Sequence, residues 1–297
     1  MATPESEEQG APPPEAAAPD ETGALPIVRR ILVALDASAY SHAALAAAVT
    51  LATRFQSDVE GLFVEDINLL RLAELPFARE FRFGQAGPRP VASEDVQRGL
   101  RARAALLRHE VEELTSEHKL RGSFRVARGA VAGEVLAAAR EADLLALGRT
   151  GHSLARRARF GSTARAAIAN AVSAVLLVQP EMEAGPVLVF YDGSAAGARA
   201  LALAAQLAGE ANELRILVWG PDEETAFERR QSAVQILGEA ESNAQFQHLA
   251  GDEAGRVLAW INRQHGSLLI LPSGGGWPAG MLDTLLDDAQ PHLLLIR

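Results

Sequence analysis

The chain has 297 residues, of which 48% are hydrophobic and 22% charged, a globular composition long enough for roughly two domains of ~150 residues. Cysteine is absent, which excludes disulfides, thiolate metal sites and a cysteine nucleophile and makes a reducing cytoplasm the expected compartment. The net charge of −10 divides into −6 over residues 1–27, +5 over 28–180 and −9 over 181–297, so the middle segment is the one expected to meet an anion, at a balance too modest for nucleic acid.

Residues 1–27 are rich in Ala, Pro and Glu, include Pro12-Pro13-Pro14 and lack a periodic apolar pattern, so they read as a disordered tail. They contain no basic stretch followed by an apolar run, and later apolar runs are broken by charge before ~18 residues, so neither secretion nor a membrane is expected. From Arg30 onward, short apolar runs alternate with Ala-rich helical stretches, the signature of βαβ units in a parallel sheet. Strands are expected at 31–35, 58–64, 123–127, 144–147 and 175–178, with helices at 39–54, 93–118, 131–141 and 162–171. The stretch 65–90 is too long for a βα loop and carries Leu69, Leu70, Leu72, Leu75, Phe77, Phe81 and Phe83. It reads as a partly helical insertion that covers apolar surface and could act as a lid.

The same order then recurs, with strands at 187–190, 214–218, 245–249, 268–271 and 293–296 and helices at 195–209, 223–240 and 253–265. Asp36-Ala37-Ser38 aligns with Asp192-Gly193-Ser194, Gly129 and Gly133 align with Gly251 and Gly255, and Leu144–Leu147 aligns with Leu268–Leu271. The fold class is therefore α/β, with two tandem doubly wound (Rossmann-like) domains at 28–180 and 186–297, each built on a five-stranded parallel sheet. Apolar fifth strands at 175–178 and 293–296 are expected to pair the domains about a pseudo-twofold axis.

The most informative segment is Gly148-Arg149-Thr150-Gly151, then nine residues, then Gly161-Ser162-Thr163. Glycines after the fourth strand let a phosphate approach the backbone, and the next helix start offers N–H groups, a positive dipole end and hydroxyls. Arg149, Arg156, Arg157, Arg159 and Arg165 give the loop a positive field. Asp36, ending the first strand on the other side of the same crevice, suits a ribose or a base edge; a helix N-cap is its competing role. No Gly-x4-Gly-Lys-Ser/Thr occurs, and the seven histidines lack metal-ligand spacing and read as solvated or capping residues.

Taken together, the strand ending in Asp36-Ala37-Ser38, Val64 at the end of the second strand, and the Gly-x2-Gly-x9-Gly-Ser/Thr motif at 148–162 resemble the universal stress protein family in its tandem form. The resemblance implies ATP or ADP as ligand, with Mg2+ as an optional companion. It places Ala34, Asp36 and Val64 at the adenosine part, Leu147, Gly148 and Gly151 at the ribose and phosphate side, and Gly161, Ser162 and Thr163 at the phosphates. It also implies a role in stress tolerance. The second domain departs from the motif: Pro272 replaces Gly148, the loop shortens before Gly280, and Met281 follows where a Ser-Thr pair stands in the first domain. One nucleotide per chain is therefore expected. No catalytic base is evident, so a regulatory module is the leading reading. A slow ATPase or nucleotidyl transferase using Asp36 with a metal, and a ligand-free scaffold, are the alternatives. An intramolecular pseudo-dimer is expected, with a homodimer left open.

Overall fold

A computed structural model describes residues 28–80, 87, 89–150, 160–180, 185–209, 213–250, 254–274 and 280–297. The expected tail at 1–27, Phe81, Phe83, Gly151, His152, Arg156, Arg157 and Arg159 lie outside these residues.

In the first half, β1 (Arg30–Leu35), α1 (Ala39–Phe55) and β2 (Asp58–Asp66) are followed by α2 (Ile67–Ala73) and a small antiparallel pair, β3 (Arg79–Glu80) and β4 (Arg89–Pro90). Then come α3 (Ser93–Glu117), β5 (Gly122–Gly129), α4 (Val131–Ala139), β6 (Leu144–Gly148), α5 (Ser162–Asn170) and β7 (Ala174–Val178). The central strands are near-continuous apolar runs because helices cover both faces of a parallel sheet. Ser38 ends the turn after β1 and starts α1 by accepting a hydrogen bond from the Ser41 N–H at 3.2 Å.

The second half repeats this plan with β8 (Val187–Tyr191), α6 (Ala195–Ala208), β9 (Leu214–Gly220), α7 (Glu223–Leu237), β10 (Ala244–Ala250), α8 (Ala254–Arg263), β11 (Leu268–Pro272), α9 (Met281–Asp288) and β12 (His292–Ile296). The helix expected at 223–240 ends at Leu237, and residues 238–243 tighten into a 3-10 turn. Sequence periodicity missed α9, which is eight residues long and begins after Gly280 with no side-chain cap.

The strands form one sheet in the order β10-β9-β8-β11-β12-β7-β6-β1-β2-β5. Each half contributes the same doubly wound order, and the switch in winding direction lies between β1 and β6 in the first half and between β8 and β11 in the second. All pairings in this sheet are parallel except at the junction, where β12 meets β7 antiparallel with Leu293 opposite Leu177, Leu294 opposite Leu176 and Leu295 opposite Val175. One buried layer includes Ile31, Leu176, Val189 and Leu294, and the other includes Leu32, Leu177, Phe190 and Leu293. Both hydrophobic layers thus run through both halves.

The insertion is partly helical, as expected, and packs α2 onto the first half through few of its apolar residues. Leu70 is buried, but Leu69, Leu72, Leu75 and Phe77 are exposed, Phe77 at 74%.

The halves also cap each other's helices. Arg149 donates through Nη1 to the Ala289 carbonyl at 2.7 Å and through Nη2 to the Leu286 carbonyl, at the end of α9. Arg297 reciprocates, its Nη2 donating to the Ala167 and Ile168 carbonyls near the end of α5. His292 sits between the halves, its Nδ1 accepting from the Gln179 N–H at 3.3 Å. Unlike a solvated histidine, it is half-buried. Burial, and secondarily the Arg149 charge, push its pKa from 6.5 down to about 4. Because the folded state resists a proton that the unfolded chain accepts, stability is complete above pH 6.5 and declines as pH falls toward 4. Urea unfolding at pH 7 and pH 4.5 should show the wild type losing about 2 kcal/mol more than His292→Gln. Parallel pH profiles for the two proteins would remove His292 as the cause.

Candidate functional site

Where β1 and β6 part at their carboxyl ends, the first half encloses a cavity of about 260 Å³. Ala34, Asp36, Val64, Leu147, Gly148, Gly161, Ser162 and Thr163 all line it, so eight of the nine residues singled out in the sequence meet in one place; Gly151 lies outside the described residues. The apolar side comes from Leu62, Val64, Val131, Val135 and Leu147, and the polar side from Asp36 and the start of α5. Ser38, Ser41 and Thr150 were not anticipated as lining residues. The first two are there because the turn after β1 folds α1 back along the crevice.

Asp36 is not the N-cap of α1, since Ser38 fills that role. The Asp36 Oδ1 accepts from the Ser38 N–H at 3.0 Å, which holds the carboxylate at the cavity wall. Its Oδ2 makes no hydrogen bond among the described residues. Ala37, between them, has φ of 61°, a left-handed conformation that turns the chain sharply enough for both neighbours to be used this way.

At the start of α5, the structure redistributes the expected donors. The Gly161 N–H is already bonded to the Arg149 carbonyl at 2.9 Å, so it has no proton to offer a ligand. Among the described residues the first-turn N–H groups of Ser162, Thr163 and Ala164 have no acceptor, and Gly161 at the N-cap supplies no side chain to satisfy them. This leaves the positive end of α5 open to the cavity. Arg149 does not line the cavity: it is 5% exposed, it stacks over the Phe160 ring at 5.0 Å, and its guanidinium faces α9 of the other half. Its backbone also bears on the site, since the same residue carries the carbonyl that holds Gly161.

In the corresponding place of the second half two small residues are replaced by aromatic ones. By sheet register Phe190 occupies the place of Ala34, and Trp219 that of Val64. Their rings stack with centroids 6.4 Å apart, and Arg229 lies over the indole at 5.3 Å while its Nη1 donates to the Trp219 carbonyl. Asp192 keeps the turn geometry of Asp36, accepting from the Ser194 N–H at 3.0 Å, but is buried. This substitution of aromatic for small residues is visible in the sequence once the repeats are aligned strand by strand; the glycine motif alone does not reveal it. Among the described residues, no cluster of three His, Asp or Glu side chains could hold a metal ion.

The sequence profile of the universal stress protein family matches residues 28–179. No curated protein matches the chain. In structure the chain is similar to a universal stress protein from Archaeoglobus fulgidus DSM 4304, with a TM-score of 0.69 and 16% identity over 90% of this chain and 98% of that one. It is also similar to the functionally unknown protein PA1789 from Pseudomonas aeruginosa PAO1, with a TM-score of 0.60 and 15% identity over 91% of this chain and 93% of that one. At such identities the likeness shows the fold, and it extends through both halves.

Proposed function

The chain belongs to the universal stress protein family, whose profile covers more than half of it, and from that premise we propose that residues 28–180 form a domain binding ATP or ADP, one per chain, as a regulatory module. The observation that carries this reading is the meeting of an uncapped helix start, a half-engaged carboxylate and an apolar wall in one cavity. Ala34, Asp36 and Val64 hold the adenosine part, with the Asp36 Oδ2 accepting from a hydroxyl or a base edge. Leu147, Gly148 and Gly151 face the ribose and the first phosphates. Ser162 and Thr163 supply backbone and hydroxyl donors to the phosphates, and Gly161 leaves them room. Asp36 is the one titratable side chain among the described residues lining the cavity, which supports binding over catalysis. No residue is assigned to Mg2+. The second half, residues 186–297, completes an intramolecular pseudo-dimer through β7 and β12, and the setting is a cytoplasmic stress response.

Calorimetric titration of the full chain with ATP should give a ratio near one. Gly161 has φ of −66° and ψ of 159°, extended backbone that valine also adopts, so Gly161→Val should fold normally. Its branched side chain should nevertheless block the phosphates. Losing two charge-assisted hydrogen bonds at ~1.5–3 kcal/mol each weakens binding by two orders of magnitude or more. A ratio near two, or wild-type affinity in a folded Gly161→Val, would overturn the assignment.

A further inference from the structure

Immediately beyond β6, Arg149 is held through its backbone and its side chain at once. Its N–H donates to the Val178 carbonyl at 2.9 Å, and its own carbonyl accepts from the N–H of Gly161, the N-cap of α5, also at 2.9 Å. The guanidinium lies over the ring of Phe160, the residue just before that cap. Both residues leading into α5 are therefore anchored on Arg149. What anchors Arg149 in turn is the second half, where its Nη1 and Nη2 take the Ala289 and Leu286 carbonyls at the negative end of α9. A second route runs beside the first. Gln179, next to Val178, donates through Nε2 to the Gln290 carbonyl at 2.8 Å and through its N–H to the His292 Nδ1. The segment that ends α9 thus holds both Arg149 and the end of β7 to which the Arg149 N–H is bonded.

The counterpart position makes no such link. In the second half Ser273 follows β11 as Arg149 follows β6, and its N–H keeps the matching bond, to the Ile296 carbonyl at 2.6 Å. Its hydroxyl turns to that same carbonyl, within its own half, at 2.9 Å. An arginine crossing the seam from this place is therefore a feature of the half that holds the first cavity. Its burial makes the connection stiff, because a guanidinium held by two carbonyls and an aromatic face has little freedom to rearrange.

We propose that Arg149 is a positioning residue for the phosphates, and that α9 of the second half thereby belongs to the support of the nucleotide site. The inference rests on the nucleotide reading above. Groups that bind one ligand together have to be held to within about 0.5 Å, and the N–H groups of Ser162, Thr163 and Ala164 are placed by the two residues that Arg149 anchors. Linkage makes the effect reciprocal. A nucleotide that steadies the start of α5 also steadies the end of α9, and a partner that displaced α9 would lower nucleotide affinity. The second half, left without a nucleotide of its own, acquires a role as the sensing side.

ATP titration of the full chain, with hydrogen exchange on the same samples, tests this. Arg149→Met, which keeps apolar bulk but gives up both carbonyls, should bind ATP at least tenfold more weakly. Arg149→Lys keeps the charge, but one ammonium cannot span two carbonyls while lying flat on Phe160, so it should remain at least fivefold weaker than the wild type. Arg297→Met removes the reciprocal bridge, from the second half to the far end of α5. It should lower the thermal midpoint about as much as Arg149→Met does while changing ATP affinity less than twofold. In the wild type, ATP should slow exchange over residues 286–292, and this response should vanish in Arg149→Met. Without ATP, exchange over residues 160–164 should be faster in Arg149→Met than in the wild type. Undiminished ATP binding in Arg149→Met, full recovery in Arg149→Lys, or equal losses of affinity in Arg149→Met and Arg297→Met would overturn the proposal and leave the nucleotide reading intact. Absence of ATP binding to the wild type would overturn the nucleotide reading, and the proposal with it. Where Arg149→Met does not fold, Arg149→Lys and the wild-type exchange response decide the matter.

Discussion

Replacing Leu177 with Asp should break the joint between the halves. Leu177 is fully buried, pairs with Leu293 across the antiparallel seam and belongs to a core layer that continues into both halves. An aspartate there removes a buried leucine, worth about 2–5 kcal/mol, and places a carboxyl group where no donor awaits it. The combined loss, on the order of 5 kcal/mol, is comparable to the whole stability of many domains. Chemical denaturation should show a large drop in midpoint, and small-angle scattering should show expansion as the halves separate. Leu177→Met, which conserves volume, should cost under about 1.5 kcal/mol. Val126, 40% exposed on the edge strand β5, provides a second control, because Val126→Asp should change stability by no more than about 0.5 kcal/mol. A wild-type midpoint for Leu177→Asp would mean that the seam does not hold the halves together.

The second large effect is expected at Gly148, and its physical origin differs from that at Gly161. A Cβ at Gly148 would stand 2.6 Å from the Tyr40 Cβ, 3.0 Å from the Tyr40 backbone carbonyl carbon and 3.1 Å from the Thr150 carbonyl oxygen. These contacts involve backbone and the base of a side chain, so no simple rotation relieves them. Glycine is required because the first turn of α1 crosses the end of β6 at this point. Gly148→Ala should therefore destabilise the fold by about 1–3 kcal/mol. Relief requires α1 to move, and Ser38 and Ser41 from its start line the same cavity, so ATP affinity should fall together with stability. Gly161→Val, by contrast, should lose affinity at nearly unchanged stability. Measuring thermal midpoint and ATP affinity for both variants tests this division directly. An unaltered midpoint in Gly148→Ala would show that α1 yields without cost.

Much of this architecture could be read before any coordinates. Runs such as Ile31–Leu35 and Leu144–Leu147 are apolar at every position because both faces of a parallel sheet are covered, and the glycine motif marks the crevice by its place after the fourth strand. The repeat was legible for the same reason. Where the reading fell short, the cause was distance along the chain. Arg149 looked like part of a phosphate-attracting cluster because its neighbours in sequence are basic, yet its partners are the carbonyls of residues 286 and 289. His292 looked ordinary because nothing nearby in sequence announces burial beside Arg149.

What the sequence determined by itself is everything carried by local pattern: the alternation of strand and helix, the duplication, and the identity of the residues gathered around the first crevice. Only the tertiary structure decided how those residues are used. It assigned the cap of α1 to Ser38 and left an oxygen of Asp36 available. It tied the Gly161 N–H to the Arg149 carbonyl and left the next three N–H groups of α5 without an acceptor among the described residues. It also stacked Phe190 against Trp219 at the places that Ala34 and Val64 hold in the first half. Hydrophobic periodicity is a property of neighbours along the chain, whereas each hydrogen bond depends on which groups the packing brings within about 3 Å, and packing is settled by the whole chain at once.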